Sequence, residues 1–231
     1  PTDCACYPEA KLYGYNAMAP RSPTRAWPTT VPEEGRREHG PAYETALTDY
    51  DAYGEWPTYR ADNDRSGFIP GKIGDEVQAG WETTLGGKLS PPVVANGRVF
   101  VAQVDQHRVH ALDAATGQPE WSYTAGARVD SPPTIVSGRV VFGCNDGWVY
   151  CLRETDGELI WRYRAAPLDQ RHMAWEQLES VWPVHGSTLV QDGVVYAVAG
   201  RSVFLDGGLR MVRLGLKTGE KRFESIMDDK N

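Results

Sequence analysis

The stretch ALDAATGQPEW (residues 111–121) returns forty residues later as CLRETDGELIW (151–161) and again as RLGLKTGEKRF (213–223). Each copy ends a run of alternating apolar residues, passes through a TG or DG pair and finishes on an aromatic residue. Such pairs between short alternating runs are typical of β-hairpins. The phrase therefore predicts a repeated β unit rather than a helical one.

The aromatic residue that ends each phrase gives the period. Trp81, Trp121 and Trp161 follow one another at intervals of 40 and 40 residues, and Phe223 comes 62 residues later. The third copy thus contains 22 extra residues. A fixed period of this length indicates a repeat architecture in which each copy is one supersecondary unit.

A second repeated stretch precedes each phrase: SPPVVANGRVFVA (90–102), SPPTIVSGRVVFG (131–143) and GSTLVQDGVVYAV (186–198). Each contains two short strands around an NG, SG or DG turn. Together with the phrase, this makes four strands in roughly 40 residues, which is a propeller blade. The sequence predicts an all-β chain, a β-propeller of four-stranded antiparallel blades that forms a partial ring.

The repeated residues have structural roles in this prediction. We expect Gly117, Gly157 and Gly219 to adopt the positive φ that a tight turn requires. We expect Trp81, Trp121 and Trp161 to wedge between neighbouring blades.

The composition and the pattern of apolar residues change along the chain and divide it into three segments. Residues 1–20 are interpreted as a strand-like segment from a preceding blade, and residues 21–55 as a Pro-rich linker or insertion. Residues 56–231 hold three full repeats plus flanking strands, fewer than the minimum of about four blades in a closed propeller. We therefore expect a fragment of a larger protein, with the remaining blades coming from a companion chain or a second copy.

Composition narrows the function classes. A net charge of −7 and a pI near 5.3 argue against nucleic acid as the main partner. The sequence has no apolar run of about 18 residues, so it predicts no membrane span.

The spacing of the four cysteines predicts no metal site. A disulfide from Cys4 or Cys6 to Cys144 or Cys151 would fit an exported, periplasmic or extracellular protein, and buried free thiols are the alternative. A two-residue turn at Asp146 and Gly147 would leave Cys144 and Cys151 on one sheet face, and a three-residue turn on opposite faces.

The phrase at 111–121 matches the A-x-D-x-x-T-G-x-x-x-W signature of pyrroloquinoline-quinone-type propeller repeats, and WPTYRADNDRSG (56–67) resembles a stretch that often opens such domains. The chain resembles this quinoprotein-like family over about 56–226, and especially large bacterial propeller proteins of unknown function. Later copies depart from the signature, with Arg153 and Gly215 at the aspartate position. The resemblance implies the fold. It leaves the cofactor, pyrroloquinoline quinone with calcium, as an alternative, because no residue aligns with the cofactor site and the repeat itself is architectural.

One loop face is where a site is expected. In a blade whose strands a to d run outward, the b to c loops and the d to a connections open on the same side, and the extra residues of the third copy fall in a d to a connection. Near-helical spacing in this insertion suggests a short capping helix, with Met173, Leu178, Val181 and Trp182 as its apolar residues. The candidate loop-face and channel residues are Arg171, His172, Glu176, Glu179, His185, Asp130, Arg201 and Asp206. A solvated loop surface, with a structural His185, is the alternative.

Two functions from different classes remain. The first is an exported scaffold or binding module that presents one loop face to a protein or carbohydrate partner. The second is a quinoprotein oxidoreductase that acts on an alcohol or sugar, with its cofactor in the propeller channel.

Overall fold

The computed structural model describes residues 30–45, 47, 55–71, 76 and 78–229. The strands are β1 (Arg37–His39), β2 (Val93–Ala95), β3 (Arg98–Gln103), β4 (Arg108–Asp113), β5 (Pro119–Thr124), β6 (Thr134–Val136), β7 (Arg139–Gly143), β8 (Trp148–Arg153), β9 (Leu159–Arg164), β10 (Arg171–Ala174), β11 (Gln177–Ser180), β12 (Leu189–Gln191), β13 (Val194–Ala199), β14 (Leu209–Gly215) and β15 (Lys221–Met227). The described part contains no helix apart from the 3-10 turn Val104–Gln106. It therefore has no helix that could cross a membrane.

Three four-stranded antiparallel sheets form the blades. The first blade is β2-β3-β4-β5, the middle blade is β6-β7-β8-β9 and the third blade is β12-β13-β14-β15. These sheets confirm the predicted all-β fold with four strands per repeat. Over the described residues the sheets form an open series and not a closed ring.

The a to b turn of every blade is a two-residue turn with positive φ at both positions. Asn96 and Gly97 have φ of 50° and 71°, and Ser137 with Gly138 and Asp192 with Gly193 repeat these values within 3°. This is the type I′ geometry that matches the twist of hairpin strands. The NG, SG and DG pairs therefore mark these turns correctly.

Each repeated tryptophan packs on the glycine of the following blade. The Trp161 Nε1–H donates to the Leu216 carbonyl at 2.9 Å, and a Cβ on Gly219 would lie 2.6 Å from the Trp161 ring. Trp121 pairs in the same way with Glu154 and Gly157. The rings therefore lie between neighbouring blades, and the turn glycine provides both a positive φ, of 65° at Gly219, and the flat surface that receives the ring.

Trp81 shows the same contact at the start of the series. Its Nε1–H donates to the Ala114 carbonyl at 2.9 Å, and its ring covers Gly117. Residues 78–84 have no strand assignment, yet they provide the aromatic residue that an outer strand would provide. Among the described residues, the first blade is thus covered on this side by one residue of the repeat and not by a full sheet.

Apolar residues fill the two spaces between blades. Phe100, Val109 and Tyr150 belong to the core between the first and middle blades, and Trp161, Trp182 and Val212 to the core between the middle and third blades. The middle blade is therefore buried on both faces, whereas the first and third blades are each buried on one.

Part of the segment interpreted as a Pro-rich linker contains a strand. β1 pairs antiparallel with β9 and makes the middle blade five-stranded. Gly40 follows β1 and lies so close to β9 that a Cβ would come within 2.1 Å of the Leu159 carbonyl oxygen. Three residues are too few to show an alternating pattern, so the sequence gives no signal for this strand.

The predicted capping helix is wrong, because the insertion forms the antiparallel hairpin β10–β11. Its turn residues Trp175 and Glu176 have φ of 52° and 63°. Neither is a residue type that usually marks a type I′ turn. Met173 and Leu178 face each other across the hairpin.

The cysteine register follows the three-residue alternative. Gly143 pairs with Val149, which leaves residues 145–147 as the turn and puts Cys144 and Cys151 in different cores on opposite faces. Both are buried, neither forms a disulfide with another cysteine of the described residues, and burial raises the pKa of each thiol. Cys4, Cys6 and the strand predicted in residues 1–20 lie outside the described residues, so the proposed disulfide stays a prediction.

Candidate functional site

The b to c loops and d to a connections of the middle and third blades bring a cluster of charged groups together. Arg128 and Asp130 lie in the β5–β6 connection, Asn145 in the β7–β8 turn, and Arg201 in the β13–β14 loop. Glu179 on the inserted hairpin links these elements. We call Arg128, Asp130, Asn145, Glu179 and Arg201 the loop-face cluster.

Glu179 is the centre of this cluster, and its side chain is 1% exposed. Its Oε2 accepts hydrogen bonds from Arg128 Nη2 at 3.2 Å and from Asn145 Nδ2 at 3.1 Å. Its Oε1 accepts a hydrogen bond from Arg201 Nη2. Two guanidinium groups from different blades therefore compensate one buried carboxylate, and they fix the hairpin to the propeller.

Asp130 and His185 form a second pair at the inner end of the cluster. Asp130 Oδ2 lies 3.1 Å from His185 Nδ1 and accepts a hydrogen bond from Asn145 Nδ2 at 2.7 Å. Burial raises the pKa of Asp130, but hydrogen bonds from His185 and Asn145 and the charge of Arg128 outweigh it, so that the net pKa is lowered. Asp130 is therefore ionised at neutral pH.

His172 on β10 borders the cluster on the hairpin side. Its Nε2 lies 2.5 Å from Arg201 Nη2 and 3.9 Å from Glu179 Oε1. Burial and the charge of Arg201 lower the pKa of His172. A neutral ring accepts the arginine hydrogen bond, which is consistent with this direction.

The remaining predicted residues lie outside the cluster. Arg171 is exposed and pairs with Asp169 at 3.5 Å. Glu176 is an exposed hairpin-turn residue, and the Asp206 carbonyl accepts the Trp182 indole N–H at 2.9 Å. The structure thus brings His172, Glu179, His185, Asp130 and Arg201 together. Arg171 and Glu176 are exposed, and the charge of Asp206 acts on His172.

Sequence reasoning missed Arg128 and Asn145, which make the central contacts. The available signal was the rule that b to c loops share one face, because Asn145 lies in the b to c turn of the middle blade. Because that turn contains only three residues, we interpreted it as a structural turn and not as part of a site. Asn145 Oδ1 and the Nε atoms of Arg128 and Arg201 are buried without a partner among the described residues.

Exposed apolar side chains lie on the same loops as the charged groups. Met173, Trp175 and Leu178 project from the hairpin, and Phe204 and Leu205 project from the loop of the third blade. Trp175 is 69% exposed and Phe204 76% exposed. The Arg128 guanidinium carbon lies 5.8 Å from the centre of the Trp175 ring, which joins this apolar rim to the cluster.

The cluster does not fit a calcium and quinone site. A calcium cage needs free carboxylate and amide oxygens, whereas guanidinium and amide N–H groups already occupy the Glu179 oxygens. Within the described ranges, no three His, Cys, Asp or Glu side chains are grouped as metal ligands would be.

Comparisons with known proteins agree with the geometry. A family model described as outer membrane protein assembly factor BamB matches residues 78–227. BamB of Burkholderia pseudomallei (strain K96243) is 32% identical over 154 residues, which cover 66% of this chain and 35% of that protein. The quinoprotein ethanol dehydrogenase of Pseudomonas aeruginosa is 30% identical over 103 residues, which cover 41% of this chain and 15% of that protein.

Solved structures show the same fold. The quinohemoprotein alcohol dehydrogenase from Comamonas testosteroni superposes with a TM-score of 0.59 at 20% identity, over 76% of this chain and 28% of that chain. This chain therefore spans about a third, or less, of the length of each of the three proteins named here. The blades, the tryptophan docking and the family match over residues 78–227 together establish that the chain belongs to the family of the outer membrane protein assembly factor BamB.

Proposed function

We propose that the chain is the propeller part of an exported, periplasmic scaffold that binds a protein partner through its loop face. The observation that carries this proposal is the apolar rim of Met173, Trp175, Leu178, Phe204 and Leu205 around the loop-face cluster. Exposed aromatic and aliphatic side chains beside an arginine are typical of the residues that dominate protein interfaces.

The cluster supports a binding role because its charges neutralise one another. Glu179 accepts hydrogen bonds from Arg128 and Arg201, Asp130 accepts one from Asn145, and these contacts hold the hairpin in place. A preorganised surface loses less entropy on binding than a mobile one.

The quinoprotein alternative has support from one relative, the quinoprotein ethanol dehydrogenase of Pseudomonas aeruginosa. The occupied Glu179 oxygens argue for the scaffold. Adding pyrroloquinoline quinone and Ca²⁺ to the protein separates the two functions. A quinone absorbance with dye-linked alcohol oxidation would favour the enzyme, and we expect neither.

Site-specific photocrosslinking in the producing bacterium tests the scaffold. A photoreactive residue at Trp175 or Phe204 should crosslink to one discrete polypeptide. Phe68 is the matched control, since its ring is also 69% exposed but lies far from the hairpin in the sequence and outside the rim. Equal crosslinking at Phe68, or none at Trp175 and Phe204, would refute the proposed face.

A further inference from the structure

The outer edge of the middle blade binds a segment that is remote in the sequence. Residues 33–43, which we call the strap, lie along β9, more than 110 positions away in the chain. β1 provides the strand pairing, and two further main-chain bonds continue it: Gly40 N–H to the Ile160 carbonyl at 2.8 Å and Ala42 N–H to the Leu159 carbonyl at 3.0 Å. This is strand addition, a common mode of peptide recognition.

Arg36 anchors the strap in a pocket formed by two blades, and its side chain is fully buried. Its guanidinium donates to Glu224 Oε2 at 2.8 Å and Oε1 at 3.2 Å, and to the Arg164 carbonyl at 3.0 Å. The guanidinium carbon lies 4.9 Å from the centre of the Tyr163 ring. A planar, bidentate and ring-stacked site of this kind selects arginine over lysine.

Gly40 provides a second element of selectivity. A Cβ at this position would come within 2.1 Å of the Leu159 carbonyl oxygen, which belongs to the backbone and cannot move aside easily. Any side chain at this position is therefore excluded while β1 is paired. The strap is recognised through an arginine and, four positions later, a glycine.

The corresponding groove between the first and middle blades has the opposite charge. The residue that follows the outer-strand aromatic is Glu224 in the third blade but Arg162 in the middle blade. Arg162 would repel an arginine anchor, and among the described residues no strand pairs with the free edge of β5. The repeat thus provides two equivalent edges, of which one is built for this peptide.

We propose that the groove between β9 and Glu224 is a peptide-recognition site for an extended segment with the pattern Arg-x-x-x-Gly, which the strap fills within its own chain. The site binds the same peptide as a separate molecule when the strap is displaced. Specificity comes from the Arg36 pocket, and the main-chain pairing provides most of the remaining contact.

A binding titration tests this proposal. A fluorescent peptide of residues 30–45 is added to the full chain that carries the double substitution Arg36→Ala and Gly40→Val, which releases the strap but leaves the groove unchanged. We expect a Kd on the order of 10 µM for this variant. The unaltered chain should bind roughly 100-fold more weakly, because its own strap competes at an effective concentration of about 1 mM.

The control peptide carries Arg36→Ala and should lose at least tenfold in affinity, with the Arg36→Lys peptide in between. Glu224→Gln in the protein should reduce the affinity of the natural peptide and leave that of the Arg36→Ala peptide unchanged. Equal binding of natural and Arg36→Ala peptides, or no binding to a folded variant, would overturn the proposal.

If the released variant does not fold, the unaltered chain provides the test. A peptide with a photoreactive group in place of Tyr43, at about 1 mM, should crosslink within Leu159–Arg164, whereas its Arg36→Ala form should not. No crosslink in that strand would equally reject the site.

Discussion

Trp161 and Phe223 occupy the same position of the repeat, at the outer strand of the middle and third blades, but their surroundings differ. Trp161 is fully buried, donates its indole N–H to Leu216 and covers Gly219. Phe223 is 42% exposed, and in the described part of the chain its ring partner is Arg213, whose guanidinium carbon lies 4.7 Å from the ring centre. The difference shows that the repeated aromatic becomes a core residue only when another blade supplies the turn that receives it.

The largest effect on stability should come from Trp161, whose ring is already covered by the next blade. Trp161→Ala removes the ring and the indole N–H from the core between the middle and third blades, and we expect a loss of about 3–5 kcal/mol in the free energy of unfolding. Chemical denaturation measures this loss. Trp121→Ala should also be strongly destabilising, while Trp81→Ala should cost less because Trp81 is more exposed. Equal losses at Trp81 and Trp161 would contradict the docking model.

A second test concerns the strap that crosses from the middle blade to the third. Glu224→Ala leaves the buried Arg36 guanidinium without its carboxylate, and we expect a loss of about 2–4 kcal/mol. The control is Glu220→Ala in the turn just before β15, whose side chain lines the shallow cleft beside the strap. An unchanged denaturation midpoint for Glu224→Ala would show that Arg36 finds another partner.

The loss of stability at low pH should depend on the same carboxylate, that of Glu224. Burial raises the pKa of Glu224, but hydrogen bonds from Arg36 and Lys221 and their charges lower it more, to about 2. Because the folded pKa lies below that of the unfolded chain, its stabilisation is present above about pH 4.5 and is lost as the pH falls toward 2, by up to about 3 kcal/mol. Unfolding measured from pH 6 to pH 2 should show this loss. In Glu224→Gln the slope should be smaller, and an identical slope would refute the assignment.

The fold could be predicted from the sequence because its signals are local. The turn pairs ending in Gly97, Gly138 and Gly193 fix positive φ values, and the tryptophan period fixes the blade length. The partner of each ring, the glycine of the next blade, was not predicted as such. It is already visible in the constant spacing of 36 residues from Trp81 to Gly117 and from Trp121 to Gly157.

The candidate site was predictable only in its location. The face rule placed Glu179 and Arg201 on one rim, and they do make contact. The hairpin was missed because its turn, at Trp175 and Glu176, has positive φ without glycine or asparagine. The strap was missed because a three-residue strand owes its position to one buried arginine, Arg36, and to contacts more than 120 residues away. Long-range contacts of this kind leave no periodic signal.

The open face of the third blade supports the expectation of further blades. Tyr196, Val198, Met211 and Phe223 occupy the positions that Val141, Gly143, Val149 and Trp161 fill in the middle blade. The middle-blade residues are buried, whereas Val198 and Phe223 are exposed. We propose that a companion chain or a second copy covers this face. Light scattering after size exclusion should give a mass above the 25.6 kDa of one chain, and a cooperatively melting monomer would contradict self-association.

The smallest effect on the stability of the isolated chain should come from Phe223, whose ring no further blade covers among the described residues. Phe223→Ala removes a half-exposed ring and its contact with Arg213, so we expect a loss below about 1 kcal/mol in the free energy of unfolding. In the presence of the covering blade the same substitution should weaken association strongly, because the ring would then fill the role of Trp161. Denaturation of the chain alone and the association measured by light scattering separate the two effects. Phe223→Ala could instead lower the free energy of unfolding of the isolated chain as much as Trp161→Ala does. The third blade would then already be covered by its own chain. In that case the two positions would differ in side-chain size and not in the presence of a neighbouring blade.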